Sequence, residues 1–264
     1  MPSKRAVLSL ALGAALVPLS RDPVPATMKY RIDSQTETVI DLSVFGQPSQ
    51  EFQIGSTSWV SLTLSDTAGG RIVHLVVDSL RYQGNAPQLG PATADSARGG
   101  VLHGVLGLDG RLGNLTATPA DNLFLAELQG TIHGFFPKLK TGAKPGEVWS
   151  DTVVVNMAAG GTTTETRSLI DYTAAGIETI DGAPAMKLST QSAVTVSGTA
   201  ENPQAGTIEI AGTGGANGVH FVGADGRYAG GTSDLQISQS LKMAMAPAPI
   251  PMTVKRKLEI SRIR

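Results

Sequence analysis

Alternation with a period of two is the feature that most limits what this chain can become. Across residues 28–44, Met28, Tyr30, Ile32, Ile40, Leu42 and Val44 fall on one side, and Lys29, Arg31, Asp33, Gln35, Glu37 and Asp41 on the other. Side chains of an extended strand point alternately to opposite faces, so the pattern predicts a long antiparallel strand with one dry and one wet face. The middle of the dry face is Ser34, Thr36 and Thr38, which predicts a stretch that is less buried or lines a polar cavity. The same alternation closes the chain. Leu235, Ile237, Leu241, Met243 and Met245 interleave with polar residues, as do Met252, Val254, Leu258 and Ile260. Pro247, Pro249 and Pro251 lie between these two strands, where no ladder donor is needed.

Turn chemistry divides the interior into further strands. Residues 52–64 and 72–82 read as a hairpin about Asp66-Thr67-Ala68-Gly69-Gly70, and 101–108 and 112–118 as another about Asp109-Gly110. Asp-Gly favours such turns because glycine takes a positive φ without steric cost. Residues 84–100 have no period and read as a loop. One helix is expected after Thr118, with Pro119 in its first turn, Leu123, Phe124 and Leu128 on one face and Gly130 as terminator. Strands at 148–157, 164–173, 177–180, 183–190, 193–199, 207–211 and 219–222 follow. Gly160-Gly161, Asp181-Gly182 and Asp225-Gly226 mark breaks, and residues 212–218 form a glycine-rich turn.

The expected fold class is mainly β: about a dozen strands in a strongly curved antiparallel sheet or half-barrel with one short helix. A closed barrel or a two-sheet sandwich is the alternative. An internal echo runs through it: Val101-x-His103 with Asp109-Gly110-Arg111 recurs as Val219-His220 with Asp225-Gly226-Arg227 about 116 residues on. Duplication would give two similar halves, 28–135 and 147–264, of one domain spanning 27–264; chance recurrence of a short turn is the other reading.

The first 26 residues predict an address. Lys4 and Arg5 precede an apolar run from Ala6 to Leu19, and Val24-Pro25-Ala26 offers a small-residue cleavage site. That order of charge, apolar core and small residue is a secretory signal peptide, and the run is shorter than the roughly 20 residues that span a bilayer as a helix. The expected mature protein is exported, periplasmic or extracellular, soluble and not lipid-anchored, since there are 0 cysteines to form disulfides, bind metal as thiolate or carry a lipid. About 238 remaining residues suffice to bury a core without staples. They carry 18 basic and 21 acidic residues, a formal charge of −3, so no basic excess points to nucleic acid.

Phe135-Phe136-Pro137 followed by Lys144-Pro145-Gly146-Glu147-Val148-Trp149-Ser150-Asp151 is the most distinctive internal run. It reads as an apolar plug, a turn and a strand whose Trp149 points inward, with Phe136 and Trp149 as core fillers. In these residues the chain resembles a group of secreted or lipid-anchored bacterial β-sheet domains of unknown function with a similar aromatic-Pro, Pro-Gly, Trp run. Such domains are similar to the curved half-barrels of periplasmic lipoprotein carriers. The resemblance implies a half-barrel of the cell envelope and supplies no catalytic residues; the absent lipobox cysteine departs from it.

No catalytic, cofactor-binding or metal-ligating residue is singled out, and no cofactor is expected. His74, His103, His133 and His220 are never at chelating i, i+2 or i, i+4 spacings. The glycine-rich segment 212–218 follows a strand but opens no helix that could hold a phosphate. Asp66, Asp78, Asp151 and Asp171 are candidates for carboxylate chemistry only if they converge. The function expected is therefore non-catalytic: a binding protein holding an apolar ligand such as a lipid or acyl chain on a concave sheet face, with Met243, Met245 and Met252 as adaptable contacts. A structural or interaction module of the cell envelope, pairing through an open sheet edge with an envelope protein, is the alternative; a carboxylate-dependent hydrolase is the third. Ligand-binding residues, partner and oligomeric state are not legible in the sequence.

Overall fold

A computed structural model describes residues 27–86, 89–202 and 206–263; the predicted signal peptide, residues 1–26, lies outside them. The described residues form one antiparallel sheet of 11 strands. In chain order these are β1 (Thr27–Ile40), β2 (Gln50–Thr67), β3 (Gly70–Gly84), β4 (Val101–Gly107), β5 (Thr116–Thr118), β6 (Val148–Ala159), β7 (Thr162–Ile180), β8 (Ala183–Asn202), β9 (Gly206–Gly223), β10 (Tyr228–Met243) and β11 (Ile250–Ile263). In space the order is β5-β4-β3-β2-β1-β11-β10-β9-β8-β7-β6. Two meanders are thus joined through the β1–β11 ladder, and β5 and β6 are the free edges. The sheet is neither a closed barrel nor a sandwich.

Two helices accompany it. α1 (Pro91–Ala97) lies in the segment expected to be a loop: seven residues are too few for a readable apolar period, and Ala94 and Ala97 alone are buried. The expected helix, α2, is Leu123–His133, later at both ends than the sequence suggested. Asn122, not Thr118, is its cap: the Asn122 side chain accepts hydrogen bonds from the backbone N–H of Phe124 and Leu125. Gly130 does not terminate it, because neighbouring contacts hold the helix through one more turn to Gly134.

The sheet is curved because α2 touches its middle and both edges at once. Glu127 accepts from Ser34 of β1 and Thr131 accepts from Arg256 of β11, while the same helix packs on β4, β5 and β6. The main core lies between α2 and the first meander, with Tyr30, Ile32, Val60, Leu62, Leu75 and Leu102 against Phe124, Leu125 and Ile132. The alternation in β1 accounts for its share: Met28, Tyr30 and Ile32 are buried and Lys29 and Arg31 are exposed.

Residues 212–218 are not a turn; they run through the middle of β9. A side chain at Gly214 would collide with the backbone of Gln236 and Ile237 on β10, and one at Gly218 would come within 2.9 Å of Thr232 O and Thr190 Oγ1. The glycines mark a crease where neighbouring backbones approach closely, a normal use of glycine inside a bent strand. The short strands expected at 164–173 and 177–180 are likewise one strand, β7, with an irregularity between Ala174 and Gly176, and 183–190 and 193–199 are one strand, β8, held continuous by ladders to β7 and β9. The echoed turns are alike in detail: Gly107 N–H bonds to Arg111 O at 2.8 Å and Gly223 N–H to Arg227 O at 2.8 Å. Their aspartates, Asp109 and Asp225, each accept from the backbone two residues on.

Candidate ligand cavity

Strands β1 and β2 meet α2 and the β6–β7 hairpin around an apolar cavity of about 530 Å³. Each wall follows from the local pattern. Thr38, Ile40, Phe52 and Ile54 come from the inner face of β1 and β2, where the register pairs Thr38 with Phe52. Leu123, Ala126 and Glu127 come from the first turns of α2. Met157, Ala159, Thr162 and Thr164 come from the tips of β6 and β7, where Gly160 and Gly161 make the turn with φ 58° and 77°. Such a volume and an apolar lining with a few polar groups are typical of small-molecule sites.

Among the described residues, Glu127 is the single charged residue of the lining. It is ion-paired with Arg256 at 3.2 Å and accepts from Ser34 Oγ at 3.1 Å. Arg256 donates in addition to Ser34 Oγ at 3.2 Å and Thr131 Oγ1 at 2.7 Å. This network fixes the lower part of the helix to mid-sheet and leaves neither charge unpaired at the cavity wall. Tyr82 Oη, against Phe124 on the other side of α2's first turn, is buried with no hydrogen-bond partner among the described residues.

At the opposite end of the sheet aromatic rings pack together. Tyr30 and Ile40 are ten residues apart on β1, about 33 Å at strand rise, and at the Tyr30 end Phe135 packs edge-on to Tyr30 at 4.8 Å and stacks on Tyr228 at 4.9 Å. Tyr30 Oη donates to Tyr228 O at 2.9 Å, and His220 Nδ1 lies 3.0 Å from Tyr228 Oη. Burial drives the ionisations here: it pushes the Tyr30 phenol up to about 12 and the His220 imidazole down to about 4, and raises Tyr228 further. Trp149 stacks on Tyr172 at 5.8 Å and donates its indole N–H to Lys138 O at 2.8 Å. Phe135 is the deeply buried member of the aromatic-Pro run, and Phe136 is half-buried beside it.

The residues singled out in the sequence fall as follows. Of the polar inner-face trio, Ser34 is buried in the Arg256 network and Thr38 lines the cavity. Met252 pairs with Ile40 of the cavity wall, Met243 pairs with Ile208, and Met245 is 63% exposed beyond β10; none of the three lines the cavity, whose methionine is Met157. The carboxylates are engaged separately: Asp66 with Arg71, Asp78 with Ser61, Asp151 with Arg111 and Asp171 with Ser150. His74 and His103 become cross-strand neighbours, rings 6.2 Å apart, and no group of three or more His, Asp or Glu suited to a metal ion occurs among the described residues. A larger depression of about 770 Å³ on the outer face is lined by polar residues such as Gln35, Glu37, Gln53, Gln83 and Lys257, unsuited to an apolar occupant. No helix among the described residues is long and apolar enough to cross a membrane.

The walls from α2 and the β6–β7 hairpin were missed in the sequence. Ala126 and Glu127 carry no motif, and their meeting with Phe52 depends on the sheet's curvature. No protein-family model matches the chain, and no curated protein matches it.

Proposed function

We propose that this is an exported, non-catalytic binding protein that holds an apolar ligand, such as a lipid acyl chain, inside its curved sheet. The single observation that carries the reading is the apolar cavity between β1, β2, α2 and the β6–β7 hairpin. Burying each methylene of a ligand there contributes about 0.8 kcal/mol, so a long chain supplies affinity without any specific polar contact. The basic-apolar-small order of the first 26 residues supports export, and the half-barrel resemblance supports a role in the cell envelope.

Native mass spectrometry of the protein purified from its host, followed by delipidation and titration with long-chain lipids, tests the reading. Bound lipid on isolation, or stoichiometric uptake afterwards, is the expected result. A bare polypeptide that takes up none of them sinks it.

A second reading is an interaction module of the envelope. It is favoured by β6, a 12-residue strand paired among the described residues only on its β7 side, whose other edge is open to a strand of another protein. Cross-linking from Asn156 in the host should then capture one recurrent envelope partner.

A further inference from the structure

The register of β3 with β4 sets His74 directly opposite His103, although nothing in their sequence spacing joins them. Both are exposed between buried neighbours, Val73 and Leu75 for the one, Leu102 and Gly104 for the other, so they stand on the outer face of the sheet, away from the cavity. We propose that these two imidazoles form a chelating site for one borderline divalent cation, zinc or copper(II), with water completing its coordination. The site is independent of the apolar cavity.

The backbone sets the approach of the two rings. Val77 N–H donates to Gly100 O at 2.9 Å, and hydrogen-bonded pairs alternate along an antiparallel ladder. His74 and His103 therefore form a non-hydrogen-bonded pair, the kind whose side chains stand closer together. Their rings lie 6.2 Å apart, centre to centre, with 69° between planes. With metal–nitrogen bonds of about 2.0–2.1 Å, two imidazoles on one ion have ring centres roughly 5–6 Å apart, and small rotations of the side chains close the difference. Thr63 of β2 pairs with His74 and Thr116 of β5 with His103, so ladders on both flanks fix the two backbones before a cation arrives.

The imidazoles are free to bind. Among the described residues neither ring has a hydrogen bond or an ion pair; the bond at His103 is accepted by its carbonyl, from Thr116 Oγ1 at 3.2 Å. Ile72 pairs with Val105 on one side of them and Val76 with Val101 on the other, β-branched residues with few rotamers that confine the rings to the space between. Residues 72–76 and all of β4 contain no lysine or arginine to repel a cation. No third histidine or carboxylate joins them among the described residues, which leaves the remaining positions to water. Imidazole nitrogens suit zinc and copper, whereas magnesium takes oxygen ligands.

Calorimetry on the protein without a polyhistidine tag, titrated separately with zinc, copper(II) and magnesium chlorides, tests the site. One zinc or copper per chain is expected, copper on the order of tenfold tighter or more, following the general order of divalent affinities, and no uptake of magnesium. Because the ion binds the folded pair, zinc should also raise the melting temperature. His74→Asn and His103→Asn should each weaken zinc binding on the order of tenfold or more and cancel the thermal shift. If either variant fails to fold, proton NMR of the parent gives the same reading: zinc should shift the ring signals of His74 and His103 together and leave those of His220 in place. Single variants that bind zinc as tightly as the parent, or a shift of one ring alone, would mean separate imidazoles and no chelate, and overturn the proposal. Magnesium uptake, one cation shared by two chains, or no uptake of zinc and copper overturns it as well. None of these outcomes bears on acyl-chain binding.

Discussion

Arg111 and Asp151 form an ion pair across the gap between the sheet's two edges, Nη2 to Oδ1 at 2.6 Å. Arg111 lies between β4 and β5 at one edge, Asp151 on β6 at the other, and Lys138 reaches the same carboxylate oxygen at 3.5 Å. The Asp151 side chain is 5% exposed while Arg111 is 55% exposed. Solvent screening of the arginine reduces the contribution, so Asp151→Ala should cost about 1–2 kcal/mol. Chemical denaturation would read that loss, and hydrogen exchange should quicken first in β6.

Asn122 has two tasks. Its carbonyl caps α2, and its amide donates to Thr93 O at 3.0 Å and Ser96 Oγ at 2.8 Å on α1. Asn122→Asp keeps the cap and loses both donors; Asn122→Ala loses everything. The expected costs are about 1 and about 2 kcal/mol, with the melting temperature falling in that order. Equal losses would mean that the link to α1 contributes nothing.

Glycine substitutions should separate crease from helix. Gly214→Ala drives a methyl into the backbone of β10 and should cost about 2–4 kcal/mol or prevent folding. Gly130→Ala, in mid-helix with no atom within 4 Å of the new methyl, should gain about 0.5–1 kcal/mol. Thermal melts of the two proteins should shift in opposite directions.

The orphan hydroxyl of Tyr82 predicts a substitution without cost. Tyr82→Phe removes a buried group that has no partner among the described residues and should leave stability unchanged or raise it by up to about 1 kcal/mol. A loss of comparable size would reveal a hydrogen bond made by that oxygen.

Burial lowers the His220 imidazole to about 4. The unfolded chain therefore takes up a proton near pH 6.5 that the folded protein accepts only near 4. Its neutral, buried form is fully compatible with folding above pH 6.5, and stability falls as the pH drops from 6.5 toward 4, by about 3 kcal/mol in all. His220→Gln should flatten the slope of unfolding free energy over that window. An unchanged slope would assign acid lability elsewhere.

The strands were legible because alternation is a local signal: Met28, Tyr30 and Ile32 announce their buried face within five residues. Strand continuity was not. Gly212, Gly214 and Gly218 carry turn chemistry in the sequence, yet β8 and β10 hold them extended through ladders on both sides, and only the close approach of the neighbouring strands, Ser238 and Gln239 at Gly212, Gln236 at Gly214 and Thr232 at Gly218, explains why glycine is required. The α2 boundary shifted because Thr118 and Pro119 look like a helix start, whereas Asn122 makes the bonds. Of the cavity, the polar inner stretch of β1 gave a local hint. Its other walls meet across more than a hundred residues, from Phe52 to Thr164, and no local pattern carries that distance.

The pairing of β1 with β11 has a kinetic consequence. Lys29 is matched to Ile263 and Ile40 to Met252, so the seam that unites the two meanders is also the pairing with the widest separation along the chain. Contacts of such long range form late and slowly, because the entropy of the intervening chain must be lost first. The first meander with α2, which holds most of the core, can order on its own segment; the second has only small apolar clusters about Tyr172 and Val194 and gains its place when β11 docks. Deleting 250–263 should therefore leave a partly ordered first half beside a disordered second, and refolding of the intact chain should be limited by the arrival of its last strand.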